Sequence, residues 1–363
     1  MSALVIRITM FHHMSGDMNR FLLRWVDFIR ENGYMSSFAD RFSDYAPLYL
    51  YLLTAIAYFD LDTVIWIKII SVVFDVVLAI AVYKLVSLRQ DLKPIAKNIA
   101  YVITLFVPTI LMNSSIWGQC DSLYTAFALF SIYFLLKGEK HHLTAMIFLG
   151  FAFAFKLQTI YLLPLFLVYI LEGKLKWYKC LIVPAVYVLT IIPAVLSGAS
   201  FMGELLVYVG QASEASQVRG LYVNFPSLYT WVSNGVVSPT FGLAGALTVI
   251  FAACSLAVRA KLIDKGDALK FVYLMAVLMP FVTPGVHDRH LFPADALAVI
   301  YLLVNPKRWY VPISLWMISY IPCAAYLFDI VKIDFGLLTI FYFFIVLLLI
   351  KDVFGDYFRE RFY

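Results

Sequence analysis

Charged residues are scarce in this sequence: they make up 14% of its 363 residues, against about 25% in ordinary soluble domains. No polar stretch is long enough to fold as a soluble domain of appreciable size. Its apolar runs are continuous rather than alternating, which excludes a β-barrel. Cysteines are also few and show no CxxC spacing, so we expect small apolar side chains and neither a disulfide nor a zinc site at Cys120, Cys180, Cys254 and Cys323.

The sequence is rich in apolar residues, which make up 63% of it and recur in runs of membrane-spanning length, about 20 residues. This composition predicts an all-α, polytopic helical membrane protein with about 11–12 transmembrane helices. We expect a single integral membrane domain over residues 1–363. The predicted crossings are 1–12 (incomplete), 62–86, 98–112, 120–136, 143–156, 159–171, 180–197, 240–258, 268–284, 290–304, 309–327 and 335–350.

Two apolar segments are too short for a full crossing. The opening "MSALVIRITMFHH" carries Arg7 and shows no small-residue cleavage site, so we expect either an unusually short first helix or a chain that begins upstream. The segment 47–59 is followed at once by "DLD", and we interpret it as an interfacial or re-entrant helix that does not cross.

The positive charges predict an orientation. With the N-terminus in the cytoplasm, inner segments hold 18 of the 28 Lys and Arg residues and outer segments hold 8. This asymmetry is the positive-inside pattern of a cell-membrane protein, and it makes nucleic acid an unexpected partner for a chain of net charge +5. Two long loops, 13–61 and 198–239, then lie outside. In the first, "RFLLRWVDFI" predicts amphipathic helices that lie flat on the membrane.

The unusual polar residues gather on this outer face. Asp17 follows Ser15-Gly16 directly after the first crossing, where the chain must turn. "NSSIWGQCDS", residues 113–122, carries the amide and carboxyl groups of Asn113, Gln119 and Asp121, which suit sugar hydroxyls. Asp121 could equally cap the next helix.

In the same segment, Trp117 could be an interfacial anchor rather than part of a site. Gly118 permits a turn or a close backbone approach.

Two further motifs carry cations. Lys156 and Gln158 interrupt a long apolar stretch, so the chain should break there, and Lys156 either snorkels to the interface or neutralises a phosphate. "HDRH", residues 287–290, offers Arg289 as a planar fork for phosphate oxygens, with His287 and Asp288 beside it. Its spacing does not indicate a metal site, although a divalent metal stays open.

Lys68 and Asp75 lie inside the second crossing. They are seven residues apart and so share one helix face. We expect them to pair structurally within the bundle.

These motifs together resemble the GT-C superfamily of membrane glycosyltransferases, and more closely the bacterial relatives of the second mannosyltransferase of GPI-anchor assembly. The resemblance rests on Asp17 and on "DYAPLY", "NSSIWGQCDSLY", "KLQ" and "HDRHLFP". Asp288 and His290 stand where the family usually has Glu and Tyr. The match extends nearly from end to end of the chain.

The resemblance implies a GT-C-like fold and an enzyme that moves a mannose-like hexose from a polyprenyl-phosphate donor on the outer face. A glycan, a lipid or a cell-wall polymer would accept the sugar. Asp17 would act as general base, with Lys156, Arg289 and His287 at the donor phosphate. The sugar or acceptor would contact Asn113, Trp117, Gln119, Asp121, Gln158 and Asp288.

Two alternatives stay open. A transporter or flippase of a lipid-linked sugar would use the same polar groups without chemistry, although no internal repeat is visible. A purely structural membrane subunit would not need so many polar groups on one side.

Overall fold

The computed structural model describes residues 2–59, 62–211, 221–232, 236–329 and 334–362. Over these residues the chain is predominantly helical, which confirms the all-α fold class. The helices are α1 (Ser2–Thr9), α2 (Leu23–Glu31), α3 (Pro47–Ala57), α4 (Thr63–Ser87), α5 (Ala96–Phe106), α6 (Pro108–Met112), α7 (Asp121–Leu136), α8 (His142–Phe155), α9 (Leu163–Leu171), α10 (Ile182–Leu196), α11 (Phe201–Leu205), α12 (Pro239–Arg259), α13 (Ala268–Val282), α14 (Phe292–Val304), α15 (Tyr310–Phe328) and α16 (Phe335–Phe362).

Within the described residues, five helices are long and apolar enough to cross a membrane, and a sixth span arises if one bent pair is counted as a single crossing. The chain is therefore a polytopic helical membrane protein. All six coincide with crossings expected from the sequence: Thr63–Ser87, Trp177–Leu196, Pro239–Arg259, Tyr310–Phe328, Phe335–Arg361 and the pair Ala96–Phe106 with Pro108–Trp117. The other expected crossings fall on shorter helices, so the total of about 11–12 stays a prediction.

The bent pair has a local cause. Its two segments meet at an angle of 49°, and the break lies at Val107, whose ψ of 123° is not helical. A residue before proline is driven out of the helical region by the proline ring, so Pro108 ends α5 and starts α6. After α6 the chain makes one turn of π-helix, Asn113–Trp117, and then stops at Gly118.

The chain divides into two compact units, and the single domain expected over 1–363 stays a prediction. Unit 1 comprises residues 1–159 and 178–212. Within it, α4 packs against α5 and α7, α7 against α8, and α8 against α10. The amphipathic segment of the first outer loop forms a π-helix, Met18–Leu22, and then α2. Its apolar side chains pack into the core of unit 1, where they meet α3. That this segment lies flat on the membrane stays a prediction.

Unit 2 comprises residues 160–177 and 213–363. Helix α13 is buried along its whole length and packs against α12, α14 and α16. Two short strands, β1 (Tyr222–Val223) and β2 (Val286–His287), pair in parallel and fix the start of the "HDRH" loop. Parts of the second outer loop, 212–220 with Arg219 and 233–235, lie outside the described residues, as does Lys332.

Candidate functional site

Asp17 is held by two side-chain donors. Its Oδ2 atom accepts the indole N–H of Trp117 at 2.9 Å and the amide N–H of Gln119 at 3.1 Å. Trp117 is only 1% exposed, whereas Asp17 is partly exposed. A carboxylate that accepts two fixed N–H donors is held in one orientation, and this one also reaches the surface of unit 1.

The chain around Asp17 is attached to the same π-helical segment by a second contact. Ser15 donates its hydroxyl to the carbonyl of Trp117 at 2.9 Å and accepts the backbone N–H of Met18 at 3.1 Å. Gly118 has a φ of 74°, and a Cβ atom there would lie 2.4 Å from Cε of Met18. Gly118 thus provides both the turn and the close approach expected of it. Trp117, being buried, is not an interfacial anchor.

Asp121 lies in a buried cluster at the start of α7. Its Oδ2 atom accepts the amide of Asn113 at 2.6 Å, and its Oδ1 atom accepts the ammonium of Lys156 at 2.5 Å. The expected helix-capping role is wrong: α7 begins at Asp121 itself, and no side chain caps it. A buried ammonium is a stronger partner for the carboxylate than a backbone amide, which explains the difference.

Lys156 does not snorkel. It is 8% exposed, pairs with Asp121, and lies 5.9 Å and 5.8 Å from the ring centres of Tyr45 and Tyr124. The helix break expected here is present, because α8 ends at Phe155 and Lys156 has extended backbone. A short 3₁₀ segment, Leu157–Leu162, carries the partly buried Gln158.

Beneath these groups, Asp75 of α4 joins three segments of unit 1. It accepts the Nε–H of Arg7 at 2.9 Å, the hydroxyl of Ser114 at 2.6 Å and the hydroxyl of Ser122 at 2.5 Å. Both charged side chains of this ion pair are almost completely buried, at 2% exposure for Arg7 and 0% for Asp75. The apparently misplaced Arg7 of the sequence is thus neutralised by a carboxylate of the bundle.

Lys68 has other partners than Asp75. Its Nζ atom donates to the backbone carbonyls of Phe11 at 2.9 Å and His13 at 2.5 Å. Both Lys68 and Asp75 are bonded inside the unit, as expected, but they do not form the pair that their spacing suggested. Burial, with Lys68 and His12 nearby, lowers the pKa of the His13 side chain.

The "HDRH" loop forms a second polar cluster, in unit 2. His287 Nδ1 lies 3.2 Å from Asp288 Oδ1, and Arg289 Nε lies 3.8 Å from the same oxygen. The Nδ1 atom of His290 accepts the backbone N–H of His287 at 3.3 Å, and the hydroxyl of Tyr161 lies 3.1 Å from it. The structure therefore brings His287, Asp288 and Arg289 together.

Several residues of these clusters were not found by sequence reasoning. Ser15, Ser114, Ser122 and Tyr161 carry no motif that separates them from ordinary polar positions in membrane helices. A further buried carboxylate, Asp295 of α14, accepts the hydroxyl of Ser319 at 2.7 Å. Its position inside a predicted crossing was the one signal that could have found it.

No group of three or more His, Cys, Asp or Glu side chains in the described part of the chain is placed to hold a metal ion. The polar groups just described are instead hydrogen-bond donors, acceptors and ion pairs. Such an arrangement suits the binding of hydroxyl groups and anions.

The helices, the apolar surfaces and the buried polar clusters define a multi-pass membrane protein. A family model described as PIG-U, GPI transamidase subunit, matches residues 23–214, just over half of the chain. The chain belongs to this family. A comparison with curated proteins finds no match.

The matched range includes "NSSIWGQCDS" and Lys156 but neither Asp17 nor the "HDRH" loop. The family and the sequence resemblance thus agree on a GPI-related membrane protein. They differ on its activity.

Proposed function

We propose that the chain is a glycosyltransferase that moves a hexose from a polyprenyl-phosphate donor to an acceptor hydroxyl, with Asp17 as general base. The observation that carries this proposal is the geometry of Asp17: two N–H donors fix one carboxylate oxygen, and the side chain still reaches the surface of its unit. A general base must be held in place and must also reach the proton that it removes.

In the proposed reaction the acceptor oxygen attacks the anomeric carbon, its proton passes to Asp17, and the bond between that carbon and the phosphate oxygen breaks. The polyprenyl phosphate leaves as a stable anion, so it needs cationic stabilisation rather than a general acid. A single displacement inverts the anomeric configuration. A retaining route would need a second, nucleophilic carboxylate, and Asp121 is poorly suited to this because its two oxygen atoms are bonded to Asn113 and Lys156.

We assign the donor phosphate to Arg289 and His287, whose side chains are partly exposed in unit 2. Lys156 is paired with Asp121, so a phosphate would have to compete with that carboxylate. We therefore assign to Lys156 the role of placing positive charge beside the substrate. We assign the sugar or acceptor hydroxyls to Asn113, Trp117, Gln119, Asp121, Gln158 and Asp288. The acceptor class stays a glycan, a lipid or a cell-wall polymer.

The test is transfer by the purified full-length protein in lipid nanodiscs, with a panel of polyprenyl-phosphate hexoses. Asp17→Asn should lower turnover by about 10²–10⁴-fold, because the amide cannot accept the proton. Asp27→Asn is the matched control, since Asp27 is a carboxylate of the same loop that is 62% exposed and lies 3.7 Å from Arg30. If the Asp17→Asn variant turns over the donor as fast as the wild type does, Asp17 is not the base.

The family match favours a second candidate, a non-transferring subunit of a membrane enzyme that handles a GPI-like glycolipid. This candidate predicts that the purified chain binds a lipid-linked sugar but never turns it over, with or without Asp17. A binding measurement run beside the transfer assay separates the two candidates. Binding without turnover for the whole donor panel would favour the subunit.

We propose further that both long loops and the Asp17 site face outside the cell membrane. In a background with Cys180→Ser, a cysteine placed at the exposed Glu31 should react with an impermeant maleimide added to intact cells. A cysteine at the exposed Lys140 should react only after the cells are opened. Labelling of both positions from one side would contradict the orientation.

A further inference from the structure

Helix α4 carries two charged side chains that are completely buried, Lys68 and Asp75. They are two helical turns apart on one face. That face meets the chain before Asp17, at Phe11, and on both sides of Asp121, at Ser114 and Ser122. Burying a charged side chain is costly unless its partners are well placed, so the contacts of Lys68 and of Asp75 must account for their burial. The burial of Asp75 is explained by its contacts with Arg7 and two serines. The burial of Lys68 needs a separate explanation.

The Nζ atom of Lys68 donates to two backbone oxygen atoms of unit 1, those of Phe11 and His13. These carbonyls come directly after α1, which ends at Thr9, where backbone oxygens have no partner in the next helical turn. The ammonium therefore fixes the chain four residues before Asp17. Without it, two partly buried carbonyls would lose their donor, at a free-energy cost typical of unsatisfied polar groups.

Lys68 holds the chain at Phe11 and His13, and a second set of contacts holds it at Ser15 and Met18. Ser15 binds the carbonyl of Trp117, and Gly118 lets Met18 approach closely. The space beside Gly118 is also bounded by Lys68, because a Cβ atom there would lie 3.6 Å from Cγ of that lysine. The segment that carries Asp17 is thus held between α4 and the segment Asn113–Gln119, which supplies its two donors.

We propose that Lys68 is a positioning residue of the Asp17 site: by binding the carbonyls of Phe11 and His13, it sets the distance from Asp17 to Trp117 and Gln119. Lys68 itself touches neither the carboxylate nor, in the proposed reaction, the substrate. The expected effect of Lys68 on turnover rests on the proposed function. The expected effect on hydrogen exchange does not depend on that function.

The structural test is hydrogen exchange on the full-length protein, measured on peptides that cover residues 11–19. Lys68→Met keeps the length of the side chain and removes the donor, and it should raise exchange at the backbone amides of Met18 and Asn19, which are bonded to Ser15. Peptides from α7 should exchange as in the wild type. Lys84→Met is the matched control, because Lys84 is an exposed lysine of the same helix.

The catalytic test is the transfer assay with the same variants. Lys68→Met should lower kcat about 100-fold, as expected for a base displaced by about 1 Å, while KM for the donor stays within about twofold. Lys68→Arg should recover most of the loss, since a guanidinium can also donate to two carbonyls. Lys68→Gln repeats the experiment with a smaller neutral donor if Lys68→Met does not fold.

Unchanged exchange at residues 11–19 in a folded Lys68→Met protein would overturn the proposal. So would raised exchange with a normal kcat, or an equal effect of Lys84→Met. If the wild type transfers no sugar at all, the proposed function fails, and the exchange measurement alone decides whether Lys68 holds the Asp17 segment.

Discussion

Trp117 donates its indole N–H to Asp17 at 2.9 Å, although the two residues are 100 positions apart in the chain. The π-helical turn that ends at Trp117 places this donor next to Gln119, so both reach the same carboxylate oxygen. The opposite end of the turn begins with Asn113, which binds Asp121. One turn of helix therefore orients two carboxylates of unit 1. π-helical turns are often found at functional sites, where they displace side chains from the regular helical positions.

The Trp117→Phe variant should keep the buried ring and lose the hydrogen bond to Asp17. A hydrogen bond to a charged group contributes about 1.5–3 kcal/mol, so turnover should fall about 10- to 100-fold. Steady-state transfer with a polyprenyl-phosphate hexose measures this loss. Trp66→Phe is the control, because Trp66 is 39% exposed on α4 and is expected to leave turnover unchanged. Equal effects of the two variants would show that the indole N–H does not support Asp17.

Breaking the pair of Asp121 and Lys156 should be costly for stability. Lys156→Met leaves a buried carboxylate without its cation, and such a loss typically costs about 3–5 kcal/mol. Adding Asp121→Asn to Lys156→Met should restore part of this stability, because the unpaired charge is then gone. Chemical unfolding of the single and double variants in detergent measures the coupling.

The exposed pair of Arg89 and Asp91 provides the comparison for this cycle. Their side chains are 22% and 57% exposed, so removing Arg89 should cost at most about 1 kcal/mol. A cost at Lys156 no larger than at Arg89 would contradict the buried ion pair.

Gly118→Ala should destabilise the protein more than Gly173→Ala. Both glycines have a φ near the left-handed region, 74° and 71°, so both substitutions carry the same backbone strain of about 1–2 kcal/mol. Only Gly118 faces a neighbour, the terminal methyl group of Met18, which must also move. Thermal unfolding compares the two variants, and equal losses of stability would mean that the Met18 side chain moves without cost.

Acid should destabilise the native state partly through His13. Because its pKa is lowered in the native protein, the unfolded chain binds a proton first as the pH falls. The stability contributed by a neutral His13 is complete above its ordinary pKa of about 6.5 and is lost as the pH falls below that value. Thermal unfolding between pH 7.5 and pH 5.5 should therefore show a smaller decrease for His13→Gln than for the wild type. His12→Gln removes only the smallest of the three causes of the shift, so it should reduce the decrease less than His13→Gln does. An identical decrease in all three proteins would count against this role of His13.

The long crossings could be predicted because a single physical requirement determines them. A run such as Thr63–Ser87 must keep all its backbone hydrogen bonds internal in lipid, and its apolar side chains make that visible in the sequence. The breaks at Val107 and Lys156 were also predictable, the first from the following proline and the second from a charge inside an apolar run. The contact between Asn113 and Asp121 was suggested by their closeness in the chain, whereas Gln119 binds Asp17 instead.

Partners that are distant in sequence could not be predicted in the same way. Arg7 and Asp75 are 68 positions apart, and nothing in either neighbourhood selects the other. Spacing on one helix instead suggested that Asp75 pairs with Lys68, but packing of α1 against the bundle supplied a better partner for each. Asp121 shows the same limit, because a capping role was plausible locally until Lys156 was brought beside it.

The Arg7–Asp75 pair has a consequence for how the protein is made. A ribosome must add 68 more residues after Arg7 before the carboxylate that neutralises it exists. A buried arginine without its counter-ion is unfavourable, so α1 cannot reach its final place in unit 1 before α4 has been synthesised.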